Sequence, residues 1–147
     1  MKLSNELFFA QVESLLSTGE EVEILVKGHS MTPLMLSGKD VAILRSATDA
    51  DIKVGAVVLF RYRGAHVLHR IEKIEGDRIT FAGDGNYKIK EVATRQDIVA
   101  VMVAVKRSSG RRVECSGKSW RWQSRAWLML PEFARRVILG IRRRLIA

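Results

Sequence analysis

The chain has 147 residues, 47% of them hydrophobic, with eleven Gly and two Pro, which suits one domain with a real core and excludes a disordered chain. Its formal net charge is +9 at pH 7. A single cysteine, Cys115, excludes an internal disulfide, and no Cys/His cluster has metal-ligand spacing, so neither a metal nor an organic cofactor is expected.

Residues 4–17 read as a helix, because Phe8, Val12, Leu15 and Leu16 recur at helical spacing and Thr18-Gly19 stops the run. Such a stripe packs on a core, or serves as an amphipathic partner or membrane helix. Residues 21–26 alternate charged and apolar side chains (Val22, Ile24, Val26), as a half-buried strand does. The strand runs into Gly28-His29-Ser30-Met31-Thr32-Pro33, where Pro33 forbids its continuation. A Ser after a flexible Gly at a strand end is exposed and aimed. Its hydroxyl is inert until a base takes the proton. Met31, Leu34, Met35 and Leu36 then line a groove beside Ser30 or belong to the core.

Strands are expected over 41–44, 56–62, 66–74, 78–81 and 97–105, with a short run at 111–115, joined by Gly-containing turns. Short strands joined in this way predict a mainly β, barrel-like or coiled sheet. The base candidate is His69, in Val67-Leu68-His69-Arg70-Ile71, and Gly83-Asp84 follows it. His66 lies three residues from His69 and so on the opposite strand face, while His29 points away from Ser30 if its strand continues. Both are expected to be structural or exposed.

The basic excess is a C-terminal property. Residues 106–147 hold 12 Lys and Arg against two acids, Glu114 and Glu132, whereas residues 1–105 are close to neutral. Trp120, Trp122 and Trp127 interleave there with Arg121 and Arg125. Pro131 opens a helix with Phe133, Ala134, Val137, Ile138, Ile141 and Leu145 on one face and Arg135, Arg136, Arg142 and Arg143 opposite, with Leu139 and Ile146 on the polar side. The chain therefore divides into a β domain, 1–117, and a basic amphipathic helical tail, 118–147. That tail suits an anionic membrane surface, docking on the barrel with a solvated Arg face, or nucleic acid; no recognised nucleic-acid motif supports the last. Met1-Lys2-Leu3-Ser4-Asn5-Glu6 lacks the apolar region and cleavage site of a secretory signal, and no run reaches the roughly 18–20 apolar residues of a spanning helix. An intracellular protein, peripheral at the cytoplasmic membrane face, is expected.

The ordered set Gly28-x-Ser30-Met31-x-Pro33, Gly38-x-Asp40, Val54-Gly55, His69-Arg70 and Gly83-Asp84 resembles the serine peptidase superfamily of signal peptidase I and the LexA-type self-cleaving repressors. The resemblance spans roughly residues 22–105. It implies a serine endopeptidase of signal-peptidase fold that cleaves an extended leader- or signal-like peptide. His69-Arg70 with Gly83-Asp84 matches the Ser-His, endoplasmic-reticulum type rather than the Ser-Lys type. The roles implied are Ser30 as nucleophile, His69 as general base and Asp84 as the acid that orients His69, with Gly28, Met31 and Pro33 shaping the oxyanion hole and substrate groove; Asp40 is structural. Gly28 stands where many signal peptidases carry a Ser that helps the oxyanion hole. A second acid usually follows Gly-Asp, and only Glu91 is near. The alternatives are a self-cleaving repressor, disfavoured by the short segment before Ser30, and a non-catalytic peptide- or membrane-binding module.

Overall fold

The computed structural model describes residues 2–3 and 6–146; for residues 2, 3, 87 and 142–146 it describes the backbone alone. The expected helix start at Ser4 and the placing of Arg142, Arg143, Leu145 and Ile146 on helix faces lie outside those described residues and side chains. Along the chain run β1 (Lys2–Leu3), α1 (Glu6–Ser17), β2 (Val22–Leu25), β3 (Val41–Ser46), β4 (Val57–Tyr62), β5 (Ala65–Glu75), β6 (Arg78–Gly83), β7 (Asn86–Thr94), β8 (Ile98–Lys106), β9 (Arg112–Glu114), α2 (Lys118–Met129) and α3 (Glu132–Ile146). All the described strands pair antiparallel in one sheet, in the order β2-β3-β8-β4-β5-β6-β7, with β1 added to β5 and β9 to β8. The sheet is curled into a half-barrel, in keeping with the mainly β expectation.

The curl brings the two ends of the sheet together. β2 and β7 are its terminal strands. The turn after β2 meets the tip of the β6–β7 hairpin, where the Gly85 N–H donates to the Ser30 carbonyl at 2.7 Å. The seam of the half-barrel is thus made by the two segments that the sequence picks out, Gly28 to Pro33 and Gly83-Asp84.

Each face of the sheet carries its own core, because strand side chains alternate. Val58, Phe60, Val67, Ile71, Ile79, Phe81 and Val101 pack on one face, where the Phe60 and Phe81 rings stack at 3.8 Å. Leu59, Leu68, Ala100 and Met102 face the other way and join a larger core with α1 and the C-terminal helices. Strand β5 is therefore covered on both sides: Val67, Leu68, His69, Arg70 and Ile71 are all buried in succession.

Helix α1 buries Phe9, Val12 and Leu16, while Phe8 and Leu15 of the expected stripe are exposed. The true stripe starts one residue later. His66 docks this helix: its ring stacks on Phe9 at 4.3 Å and Nε2 bonds Glu13 at 2.8 Å, so it is structural, as expected.

The structure also departs from the sequence expectation after Gly83-Asp84 and at the C-terminus. After Gly83-Asp84 the chain forms a strand that the sequence reading leaves unassigned, β7 (Asn86–Thr94), and this strand carries Glu91. The C-terminal region is two helices rather than one, and it is not separate from the β domain. Trp120 and Trp127 of α2 and Leu139 of α3 sit in the same core as Phe9, Met31 and Met102. The spacing of Trp120, Ser124 and Trp127 puts one face of α2 on the sheet. Leu139, expected on the polar side of the last helix, is the buried residue, whereas Phe133, Val137 and Ile141 are exposed.

Candidate active site

Ser30 sits half-buried in the turn that follows β2. Gly28 enters this turn at φ +80°, a left-handed conformation that side chains rarely adopt. Its N–H donates to Ser37 Oγ at 2.9 Å. Met31 is 1% exposed and Leu34 and Met35 are buried beside it in the larger core. Met31 therefore anchors the turn from below and does not line a groove. Pro33 follows, half-buried, after a cis peptide bond. Asp40 is structural: its Oδ2 accepts from the Leu36 N–H at 2.7 Å and from Arg107 at 2.9 Å. These bonds hold the loop behind Ser30.

His69 comes from the middle of β5, on the face of the Phe60–Phe81 stack; the Phe60 ring is 6.5 Å away. Across the seam, Gly83 separates His69 from the Ser30 turn. A methyl group at Gly83 would fall 2.9 Å from His69 Nε2 and closer still to the Ser30 carbonyl oxygen. No side chain fits between them. Gly83 is thus what lets the β6–β7 hairpin approach both the Ser30 backbone carbonyl and the His69 ring.

The other imidazole nitrogen is held by Glu91. His69 Nδ1 and Glu91 Oε1 are 2.6 Å apart, and both side chains are buried. The register explains how β7 reaches β5 across β6. Ile71 pairs Phe81, which pairs Glu91, so Glu91 shares the face of His69, two residues further on. Burial pushes the imidazole pKa below its ordinary value, and the bond to Glu91 opposes that shift. That shift favours the neutral imidazole, in which Nδ1–H donates to the Glu91 carboxylate. Nε2, the nitrogen facing Gly83 and the Ser30 peptide, is the proton acceptor.

Asp84 does not take the place that sequence reasoning gives it. Its carboxylate forms a buried two-point pair with Arg70, Nε to Oδ1 at 2.8 Å and the terminal nitrogen to Oδ2 at 2.7 Å. The reason is strand alternation. Arg70 follows His69 and faces the opposite side of the sheet, and Asp84, one residue past Gly83, turns to that side too. Arg70 also donates to the Gly55 carbonyl at 2.8 Å, and its guanidinium lies over the Trp120 ring at 5.8 Å. The Trp127 indole N–H donates to the Asp84 carbonyl at 3.0 Å. The His69-Arg70 and Gly83-Asp84 motifs thus divide into a layer of Ser30, His69, Gly83 and Glu91 and a brace of Arg70, Asp84 and Trp127 behind it.

A pocket of about 250 Å³ lies on the brace side, lined in part by Arg70, Asp84, Lys90, Trp127 and Arg135, and touches neither Ser30 nor His69. Among the described residues, no group of His, Cys, Asp and Glu could hold a metal ion. His29 is exposed. Cys115 is half-buried, and burial raises its thiol pKa to about 12, so it is no nucleophile at neutral pH.

Comparison with protein-family models, curated proteins and solved structures found no match to this chain.

Proposed function

We propose that the protein is a serine endopeptidase with Ser30 as nucleophile, His69 as general base and Glu91 as the residue that positions the imidazole. One observation carries this reading. The backbone carbonyl of Ser30 and Nε2 of His69, far apart in sequence, both crowd the Cα of Gly83, where a side chain would not fit, and the imidazole is held on its far nitrogen by a buried carboxylate. Ser30 Oγ attacks the scissile carbonyl carbon and its proton passes to His69 Nε2. The tetrahedral oxyanion collapses, and His69 returns the proton to the departing amine. Water, deprotonated by His69, then frees the acyl group from Ser30. The Glu91 carboxylate stabilises the imidazolium in both steps.

The substrate is an extended, leader-like peptide laid along the seam. β2 and β7 are the terminal strands of the sheet, so either edge offers backbone groups for an added strand. An oxyanion hole rests on the Ser30 N–H and a further backbone donor. The bond from the Gly28 N–H to Ser37 Oγ commits that amide elsewhere. This last contact favours a second reading, a peptide-binding module without chemistry.

Intact-protein mass after incubation with an acylating serine-directed inhibitor between pH 5 and 9 separates the two. A single adduct on the wild type, absent in Ser30→Ala and reduced in His69→Ala, is expected. A folded wild type that forms no adduct at any pH overturns the peptidase reading in favour of the binding module.

A further inference from the structure

Helix α3 turns the wrong way for a helix that merely packs. Phe133, Val137 and Ile141 repeat every four residues along one face and are 66%, 56% and 54% exposed. Leu139, on another side of the same helix, is the residue that anchors it in the core. On α2, Trp122 and Met129 are 72% and 76% exposed, on the side opposite the buried Trp120, Ser124 and Trp127. Large apolar side chains held outward on two docked helices are unusual for surfaces that face only water.

The charges around it select the partner. Lys118, Arg121, Arg125 and Arg136 are all exposed, against one acid in these helices, Glu132. A second copy of the chain meeting this face through a twofold axis would set the cations against their own images. A nucleic acid would use the cations and leave the Phe133-Val137-Ile141 row in water. An anionic lipid surface satisfies both, because apolar side chains enter the headgroup boundary while Lys and Arg stay at the charged surface. No described helix is long and apolar enough to cross a membrane, so the contact is with the surface. We propose that the outward face of α3, with Trp122 and Met129 of α2, docks this protein onto an anionic bilayer.

The test is co-sedimentation of the full chain with phosphatidylcholine vesicles, with and without about one third phosphatidylglycerol, over a salt series. Expected is binding at least about tenfold tighter to the anionic vesicles, falling as salt rises. A blue shift of tryptophan emission should accompany it and vanish in Trp122→Phe, since Trp120 and Trp127 are already buried. Phe133→Gln with Ile141→Gln changes exposed positions and keeps helix-forming residues, so the fold stands; it should weaken binding about tenfold or more. The proposal is overturned by a lack of binding to either vesicle, by binding that the double variant leaves unchanged, or by a dimer in ultracentrifugation that the double variant dissolves. Tighter binding to duplex DNA than to the anionic vesicles also overturns it. None of these readouts uses Ser30, so failure here leaves the peptidase reading standing, and the reverse.

Discussion

Gly83 has His69 Nε2 on one side and the Ser30 carbonyl on the other, both too near for a methyl group. Gly83→Ala must therefore push the hairpin out or separate the two groups. Overpacking of this kind costs about 1–3 kcal/mol, a modest loss against the whole fold, whereas a displacement of about 1 Å costs about 100-fold in rate. Acylation of Ser30 is expected to fall far more than stability, read by inhibitor adduct formation beside a urea titration. Equal, small losses in both would mean that Gly83 is only a packing residue. Glu91 makes a different signature. Its carboxylate opposes the lowering of the His69 pKa by burial. Glu91→Gln removes that opposition, so the acid limb of the acylation profile should move to still lower pH while the plateau rate drops, by about 10²–10⁴-fold. In the wild type the limb is expected below the free-His value of about 6.5, since burial lowers the His69 pKa. The same shift fixes a sign for stability. The unfolded chain binds the proton at His69 more readily than the native one, so stability from this group is whole above about pH 6.5 and is lost as pH falls towards the native pKa. A lowered plateau with an unmoved limb would show that Glu91 packs against His69 without acting on its proton.

The brace works on whole elements. Arg70 and Asp84 are both 3% exposed, and their pair ties β5 to the β6–β7 hairpin, with Gly55 before β4 as a third point. Asp84→Asn leaves a buried guanidinium without its counter-charge, at a cost of about 3–5 kcal/mol. A large drop in thermal midpoint is expected, with the pH profile of surviving activity in place. Lost acylation at an unchanged midpoint would instead restore the orienting role that the sequence suggests for Asp84. The same elements show how far the sequence is legible. Alternation marks most strands, and the Gly28 to Pro33 turn and His69 stand out by residue type. The burial of both His69 and Arg70 can be traced to β5, but not which acid meets which. Both acids follow β5, and only the register of β6, with its irregularity at Ala82-Gly83, sends Asp84 to one face and Glu91 to the other. β7 escapes a sequence reading because Glu91 occupies an inward position where the alternation calls for an apolar side chain, and Ile89 and Val92 are exposed at the sheet edge. The local rule fails at the residue whose carboxylate holds His69 Nδ1.

Over the whole molecule the charge break near residue 106 and the core disagree about where the domain ends. Charge divides the chain into a near-neutral body and a basic tail. Packing puts Trp120, Trp127 and Leu139 into the larger core, and the Trp127 indole holds the Asp84 carbonyl at the seam. Charge reports which partner a surface meets, and burial reports what folds with what. α2 and α3 carry both the basic charge and core residues, with Trp120, Trp127 and Leu139 inward and Trp122, Phe133 and Ile141 outward. Burying a large apolar side chain contributes about 1.5–3 kcal/mol, so the three inward residues together supply roughly 5–9 kcal/mol. A domain of this size has only about 5–15 kcal/mol in total. A chain ending at residue 117 should therefore unfold, or lose most of its stability, with the seam at Ser30 opening in the same transition. Circular dichroism and a urea titration of residues 1–117 beside the full chain check this. Equal midpoints would mean that the helices ride on a body that folds alone, and the brace behind His69 would then stand on Arg70 and Asp84 without Trp127.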